Sequence, residues 1–309
     1  MVRLRSPSTP SKIEGLILNS YAKLNLYLEV INKRPDHYHN IKTVFERIDL
    51  ADRIILKSRP DKKINLICNF PFVPKDNLNL AFKSAKLLQD TFAVEEGVDI
   101  KIIKRIPVGS GLGGGSSNAA NVLLGLNKLW KLNLAPKKLV GLAKRIGSDV
   151  PFFIYGLPFA LAELRGDKIS PLKALNKVRL WHILVVPKIK VSTPTIYAKW
   201  DKYSSKKNKR AGLTRPKYDV KILNLALRKR DFPLLSETLF NSLEEITFKL
   251  YPRVRRIKET LKALGLKSIL MSGSGPAIMG IVSSRKEASA LREQLKGNRF
   301  WQLFVTRTV

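Results

Sequence analysis

Along residues 22 to 31 the apolar Leu24, Leu26, Leu28 and Val30 alternate with Lys23, Asn25, Tyr27 and Glu29. A period of two predicts a strand and puts Lys23 and Asn25 on one polar face. Arg34, Pro35 and Asp36 then mark a turn. Apolar, β-branched runs predict further strands at 42–50, 52–58, 63–69 and 98–104. Asp76 and Asn77 are placed to cap a helix running through about Phe92. The period changes to that of a helix at Ala119, Val122, Leu123, Leu126, Leu129 and Trp130, with Ser116 or Ser117 as its cap. Leu139, Val140, Leu142, Ala143 and Ile146 predict another helix, which Gly147 ends.

Beyond Asp149 the pattern predicts a short apolar segment, then strands at 158–164 and 180–187. Helices follow at 219–229, 231–248 and 252–264, then a turn and strand over Leu270–Val282, a helix at 285–296 and a strand at 301–307. Strands and helices mix without strict βαβ alternation, so the expected class is α+β in two lobes. The boundary falls near residue 175, giving an N-terminal domain over 1–175 and a C-terminal domain over 176–309.

No run of 18 apolar residues occurs, so no transmembrane helix is expected. Residues 1–12 carry charge and no apolar core, and read as a ragged tail rather than a secretory signal. Cys68 is the sole cysteine, which precludes an intramolecular disulfide and fits a reducing, cytoplasmic setting. Lys and Arg number 57 against 24 Asp and Glu, a net charge of +33. Such a surface attracts nucleic acid, anionic membranes and phosphorylated small molecules alike. The excess is spread along the chain, with no zinc-ligand spacing and no RNA-binding aromatic motif, so neither a specific nucleic-acid nor a membrane partner is expected. The densest stretch, Lys199–Lys217, holds one acid, Asp201, and reads as a mobile loop or a surface excursion.

Chemistry concentrates in Ile106–Ala120, IPVGSGLGGGSSNAA. Glycine lets backbone approach a ligand closely, and a helix N-terminus offers free N–H donors with partial positive charge. Together they make a phosphate cradle. The spacing Gly109-x-Gly111-x-x-Gly114 invites a dinucleotide-binding reading, but no Asp or Glu lies between Asp99 and Asp149 to hold a ribose. A Walker A loop needs Gly-Lys-Ser/Thr, and here Gly115 runs into Ser116. A purely structural turn is the remaining alternative.

PVGSGLGGGSSNAA resembles the signature loop of the galactokinase, homoserine kinase, mevalonate kinase and phosphomevalonate kinase (GHMP) superfamily. YAKLNLYLEVINKRPDHYHNIKTVF, RIGSDVPFF, VSTPTIY, NSLE and MSGSGPAIMG are similar, in order, to motifs of one of its branches, from about Ser20 to Met279. That branch acts on 4-diphosphocytidyl-2-C-methyl-D-erythritol. The resemblance implies a two-lobed GHMP fold with the active site in the cleft, and ATP-dependent phosphorylation of the substrate's 2-hydroxyl in non-mevalonate isoprenoid synthesis. It implies Mg²⁺ as the phosphate counter-ion; the sequence shows no carboxylate cluster with metal-ligand spacing, so ATP oxygens, water and Ser117 are the expected ligands. Pro107, Val108, Gly109, Ser110, Gly111, Leu112, Gly113, Gly114, Gly115, Ser116 and Ser117 would bind ATP, with Asn77 and Lys104 nearby. Ser272, Gly273 and Gly275 resemble a third motif that supports this loop.

By the same resemblance Asp149 in GSDVP is the catalytic base and Lys23 in AKLN the second catalytic residue. Phosphoryl transfer needs a proton acceptor and charge stabilisation at these positions. Asn25, Tyr38, His39, Pro194 and Tyr197 would bind the cytidyl substrate, the two tyrosines by stacking and His39 by hydrogen bonds. On local sequence alone Asp149 and Asn77 are equally helix caps, Lys23 a solvated strand lysine, Tyr38 and His39 turn surface, and Tyr197 core. His37 stands where the branch usually has glycine, and would be strained if φ is positive there. His182 lies in an apolar strand and reads as a satisfied core histidine. A monomer or weak homodimer is expected. The alternatives are a homoserine- or mevalonate-type kinase, which has no reason to carry the Tyr38, His39 and Tyr197 set, and a basic, non-catalytic nucleic-acid binder.

Overall fold

The computed structural model describes residues 15–207 and 217–309. The predicted tail at 1–12 and the second half of the basic stretch, 208–216, lie outside the described residues. A long antiparallel hairpin dominates the first half. β1 (Leu16–Lys33) and β2 (His39–Arg59) pair from Leu16 opposite Leu56 to Lys33 opposite His39. The two strands expected at 42–50 and 52–58 are one. Asp49 and Leu50 form a bulge between the pairs Tyr21–Ala51 and Ala22–Ile48, and a bulge bends a strand without ending it.

β3 (Ile64–Cys68), β4 (Gly97–Ile103), β5 (Phe159–Leu164) and β6 (Lys168–Pro171) complete most of this sheet, with β4 and β5 sharing the outer edge of β2. The second sheet is antiparallel and contains β7 (Trp181–Pro187). Between the strands of this second sheet, β8 (Phe240–Asn241) crosses over to join the first, parallel to β1. β9 (Ile269–Met271), β10 (Ile278–Val282) and β11 (Trp301–Arg307) finish it in the order β11-β7-β10-β9.

Helices α1 (Leu80–Thr91), α2 (Gly114–Leu129), α3 (Pro136–Ile146) and α4 (Val150–Tyr155) cover one face of the first sheet. Leu123 and Leu126 of α2 are fully buried there with Leu56, Ile100 and Phe152. The second half adds α5 (Thr193–Lys207), α6 (Val220–Lys229), α7 (Phe232–Thr238), α8 (Glu244–Leu250), α9 (Pro252–Ala263) and α10 (Arg285–Leu295). Alternation along β7 explains why it reads as continuously apolar. Leu184 and Val186 join a core with Ala22, Leu24 and Leu26 of β1, while Ile183 and Val185 face the helices behind. That shared core ties the two sheets together.

Four expectations change. Residues 199–207 belong to α5, because buried Ile196 and Trp200 anchor that helix despite its lysines. The helix expected at 231–248 splits into α7, β8 and α8. Asn241 Nδ2 donates to the carbonyls of Met271 and Gly273 at 2.7 and 2.8 Å, and its Oδ1 accepts from Leu243 N–H, so the side chain holds the break open. Asn79, rather than Asp76 or Asn77, caps α1 by accepting from Ala81 N–H at 2.9 Å. Gly113, with φ of +70°, takes the cap position just before α2, so Ser116 and Ser117 lie inside its first turn instead of capping it.

No helix among the described residues is long and apolar enough to cross a membrane. Since α2 carries the glycine loop on a fully packed face, Leu123→Ala should destabilise the protein by about 2–5 kcal/mol. The shift of the urea midpoint at unchanged slope measures this.

Candidate active site

The glycine loop is held to β1 by its own backbone. Lys23 N–H donates to the Leu112 carbonyl at 2.9 Å, on the far side of which Gly113 turns into α2. From the second half, Ala277 N–H donates to Ser110 O at 3.1 Å and Ser272 Oγ donates to Gly111 O at 3.3 Å. Glycine is required at Gly111: φ is +80° and a Cβ would run into the Ser272 carbonyl oxygen. Gly113 is equally confined, since a Cβ there would press on the Lys23 side chain.

Pro107, Val108, Gly109, Ser110, Gly111, Leu112, Gly113, Gly114, Gly115 and Ser116 all line one hollow of about 340 Å³. The free N–H groups that begin any helix open here at α2, as a phosphate requires. Lys104 lines the same hollow, and its ammonium sits where a Cβ on Gly114 would come within 3.0 Å of it. Asp52, buried beneath, receives Lys104 Nζ at 2.5 Å and the N–H groups of Arg105 and Ile106 at 2.8 and 2.9 Å. Two sequence-based assignments are not brought to this hollow. Ser117 is fully buried, its Oγ accepting from Ser20 Oγ at 2.8 Å. Asn77 lines a separate hollow with Lys86 and Arg145, and Asn79 takes the place expected of it.

A second cavity, of about 500 Å³, adjoins the first and shares Gly111 and Gly113 with it. Lys23 and Asp149 meet at this junction, with Nζ 3.5 Å from Oδ2 and side-chain exposures of 5% and 29%. Asp149 immediately precedes α4 but makes no capping hydrogen bond with its side chain, so the carboxylate is available to the cavity. Lys23 Nζ also donates to Asn25 Oδ1 at 2.6 Å and lies 5.2 Å from the centre of the Phe45 ring. Asn25 lines the cavity, yet its amide is committed on both sides, because Nδ2 donates to Thr43 Oγ1 at 2.8 Å. The polar face that alternation predicted for β1 is thus the buried floor of the site rather than a solvated surface.

Tyr38, His39, Pro194 and Tyr197 line the far end of this cavity. Tyr38 is more than half exposed, with the Arg165 guanidinium 5.2 Å from its ring centre. Tyr197 lies against His39 with centroids 4.8 Å apart. Burial, then the charge of Asp149, raises the Tyr197 hydroxyl well above an ordinary phenol, so it remains an O–H group. His37 is exposed at the rim and takes φ of +63°, the left-handed conformation that glycine adopts freely. Asp36 stabilises the turn by accepting from Tyr38 N–H at 3.2 Å, and the Arg34 guanidinium beside it holds its carboxyl below the usual range.

Several lining residues escaped the sequence. Arg165 and Asp201 carry no local signal. Lys33 was one lysine among many, though its register opposite His39 follows from the hairpin. Asp52 offered only an acid in an apolar run. His182, fully buried on β7, pairs through Nε2 with Glu46 Oε1 at 2.8 Å, while its Nδ1 has no partner, so it is only half satisfied.

The GHMP kinases N terminal domain profile matches residues 79–157 and the GHMP kinases C terminal profile matches residues 223–300. A 4-diphosphocytidyl-2-C-methyl-D-erythritol kinase of Geobacillus sp. (strain WCH70) is 44% identical over 91% of this chain and 93% of its own. One from Acetivibrio thermocellus is 38% identical over 96% of this chain and its entire length. A crystal structure of 4-(cytidine 5'-diphospho)-2C-methyl-D-erythritol kinase superposes with a TM-score of 0.78 at 32% identity, over 95% of this chain and 100% of that one. L. major mevalonate kinase, at 17% identity and a TM-score of 0.70 over 98% of both chains, shares the fold alone. Identity of this extent across nearly all of both partners carries one assignment: the chain belongs to the 4-diphosphocytidyl-2-C-methyl-D-erythritol kinase family of GHMP kinases.

Proposed function

We propose that the protein transfers the γ-phosphoryl group of ATP to the 2-hydroxyl of 4-diphosphocytidyl-2-C-methyl-D-erythritol, releasing ADP, as a cytoplasmic step of isoprenoid precursor synthesis. The observation that carries this reading is the Lys23–Asp149 pair, 3.5 Å apart, standing where the glycine-loop hollow opens into the aromatic cavity. A donor triphosphate in one and an alcohol in the other would meet there. Residues 1–175 would form the lobe that carries the loop, and residues 176–309 the lobe that supports it.

The roles follow from the chemistry. Asp149 accepts the hydroxyl proton as the substrate oxygen attacks the γ-phosphorus, and the bond to the bridging oxygen of ADP breaks. Lys23 balances the charge of the transferred group, with Asn25 and the Leu112 carbonyl fixing its position. The loop amides and Lys104 bind the ATP phosphates, while Lys33 and Arg165 line the cavity as cations for the substrate's diphosphate. Tyr38 and Tyr197 offer rings to the cytosine and His39 a hydrogen-bonding edge.

Mg²⁺ fits this site as a counter-ion of ATP rather than as a resident metal. Among the described residues no three His, Cys, Asp or Glu side chains gather, while the hydroxyl of Ser116 lines the phosphate hollow and that of Ser117 is already taken by Ser20. Phosphate oxygens and water would supply most of its ligands, with Ser116 nearby, and the ion would neutralise phosphate charge. A homoserine- or mevalonate-type reaction is disfavoured by the aromatic end of the larger cavity, which those small substrates would leave empty.

The decisive experiment is ATP-dependent phosphorylation of the cytidyl substrate beside homoserine and mevalonate. Turnover of either small alcohol, with none of the cytidyl compound, would refute the reading. Asp149→Asn should fold normally and lose about 10²- to 10⁴-fold in kcat, the usual worth of general base catalysis. Tyr38→Ala should raise KM for the cytidyl substrate and leave that for ATP alone, since a stacked base is worth ~1–3 kcal/mol. Gly111→Ala should weaken ATP binding at least about tenfold, because a Cβ at positive φ against a carbonyl displaces the loop. Titration with a fluorescent ATP analogue measures this.

A further inference from the structure

Asp201 lines the substrate-side cavity and has no part in the phosphoryl transfer described above. It stands on α5 one turn beyond Tyr197, and positions four apart share a helix face. Tyr197 lies against the His39 ring, and Asp201 Oδ1 lies 2.6 Å from His39 Nε2. The other oxygen, Oδ2, receives Lys33 Nζ at 2.9 Å. Lys33 and His39 face each other across the mouth of the β1–β2 hairpin, so one carboxylate from α5 ties both strands. Trp200 stands edge-on to the same imidazole, with centroids 5.9 Å apart and planes at 89°. His39 is therefore gripped on its face, at its edge and at Nε2.

A neutral imidazole carries one N–H and one lone pair, and the partner of one nitrogen decides what the other can do. An ionised carboxylate only accepts. Burial pushes the Asp201 carboxyl up, but its hydrogen-bonding and electrostatic interactions with Lys33 and His39 together outweigh this and hold the group below the usual carboxylate range. Nε2 must then bear its hydrogen toward Asp201. The Lys33 ammonium on Oδ2 already gives the carboxylate a counter-charge. Nδ1 is left as the acceptor edge of a residue that lines the cavity. The 4-amino group of a pyrimidine can donate to such an acceptor, whereas a 4-oxo group presents only lone pairs to it.

We propose that Asp201 is the positioning residue of the pyrimidine subsite, holding His39 in the Nε2–H form so that the site favours a 4-amino over a 4-oxo pyrimidine. The inference rests on the kinase reading above and adds to it the origin of base selectivity.

Two measurements test it. In the first, wild type, Asp201→Ala and Asp201→Glu are compared on the cytidyl substrate and its uridyl counterpart. Asp201→Ala should raise KM for the cytidyl substrate roughly tenfold, the worth of one well-placed hydrogen bond, with kcat and KM for ATP nearly unchanged. The cytidyl-to-uridyl ratio of kcat/KM should fall by a similar factor, and Asp201→Glu should recover part of it. In the second, ¹⁵N NMR of the imidazoles reads the tautomer directly. The chain has three histidines, so a His39→Gln spectrum identifies the signal. The expected result is hydrogen on Nε2 in the wild type.

Hydrogen on Nδ1 instead would overturn the proposal, as would an Asp201→Ala enzyme with unaltered KM and selectivity. If Asp201→Ala does not fold, the wild-type spectrum decides. A wild-type enzyme inactive on the cytidyl substrate would refute the kinase reading and, with it, the selectivity, while the spectrum would still report whether Asp201 sets the tautomer.

Discussion

A lysine ammonium with 5% of its side chain exposed is the constraint around which this protein is arranged. A buried charge is tolerated only when paired and hydrogen-bonded. Lys23 finds its acceptor two residues along its own strand, in Asn25, and its counter-charge in Asp149, at the foot of α4. The Phe45 ring covers it from the next strand. Its backbone N–H meanwhile holds the glycine loop at Leu112. Sheet, loop and α4 are therefore registered against one side chain. Misplacing any of them would leave an ammonium buried without its partners.

The glycines follow from the same economy of space. The loop must pass between Lys23 on one side and the Ser272–Gly275 turn on the other. At Gly111 and Gly113 no Cβ fits, and both residues take positive φ. That crowding lets the two cavities touch. A bulkier loop would separate the glycine-loop hollow from the larger cavity. The second half of the chain reaches the two cavities at fewer places. It supports the loop through Ser272 and Ala277, and through α5 it supplies Tyr197 and Asp201 to the far end of the larger cavity.

Short-range features were legible. The alternation at Lys23 and Asn25, the helix after the glycine loop, and the last strand, found at Trp301–Arg307, all rest on neighbours within one turn or one pleat. Errors arose where a distant partner outweighed a local preference. In the run Asp76-Asn77-Leu78-Asn79, three residues can cap a helix, and in the fold it is Asn79 that accepts from Ala81 N–H. The apolar pattern across 231–248 is helical throughout, but Asn241 answers to carbonyls 30 and 32 residues away. Lysines at 199–207 suggested a loop, whereas buried Ile196 and Trp200 dock the helix and leave Lys199 and Lys202 exposed.

The sequence alone carried the class of fold, the glycine loop that opens a helix, and the strand that holds Lys23 and Asn25 on one face, because residue type and spacing encode backbone geometry. The tertiary structure decided which groups meet. Gly111 and Ser272 are 161 positions apart and His39 and Asp201 are 162 apart, and no periodicity links such pairs. It also decided that the polar face of β1 is buried, that Ser117 lies behind the hollow rather than in it, and that one carboxylate spans Lys33 and His39. Electrostatic pairing and packing act through space, so the chain must fold before they can choose among its many lysines and acids.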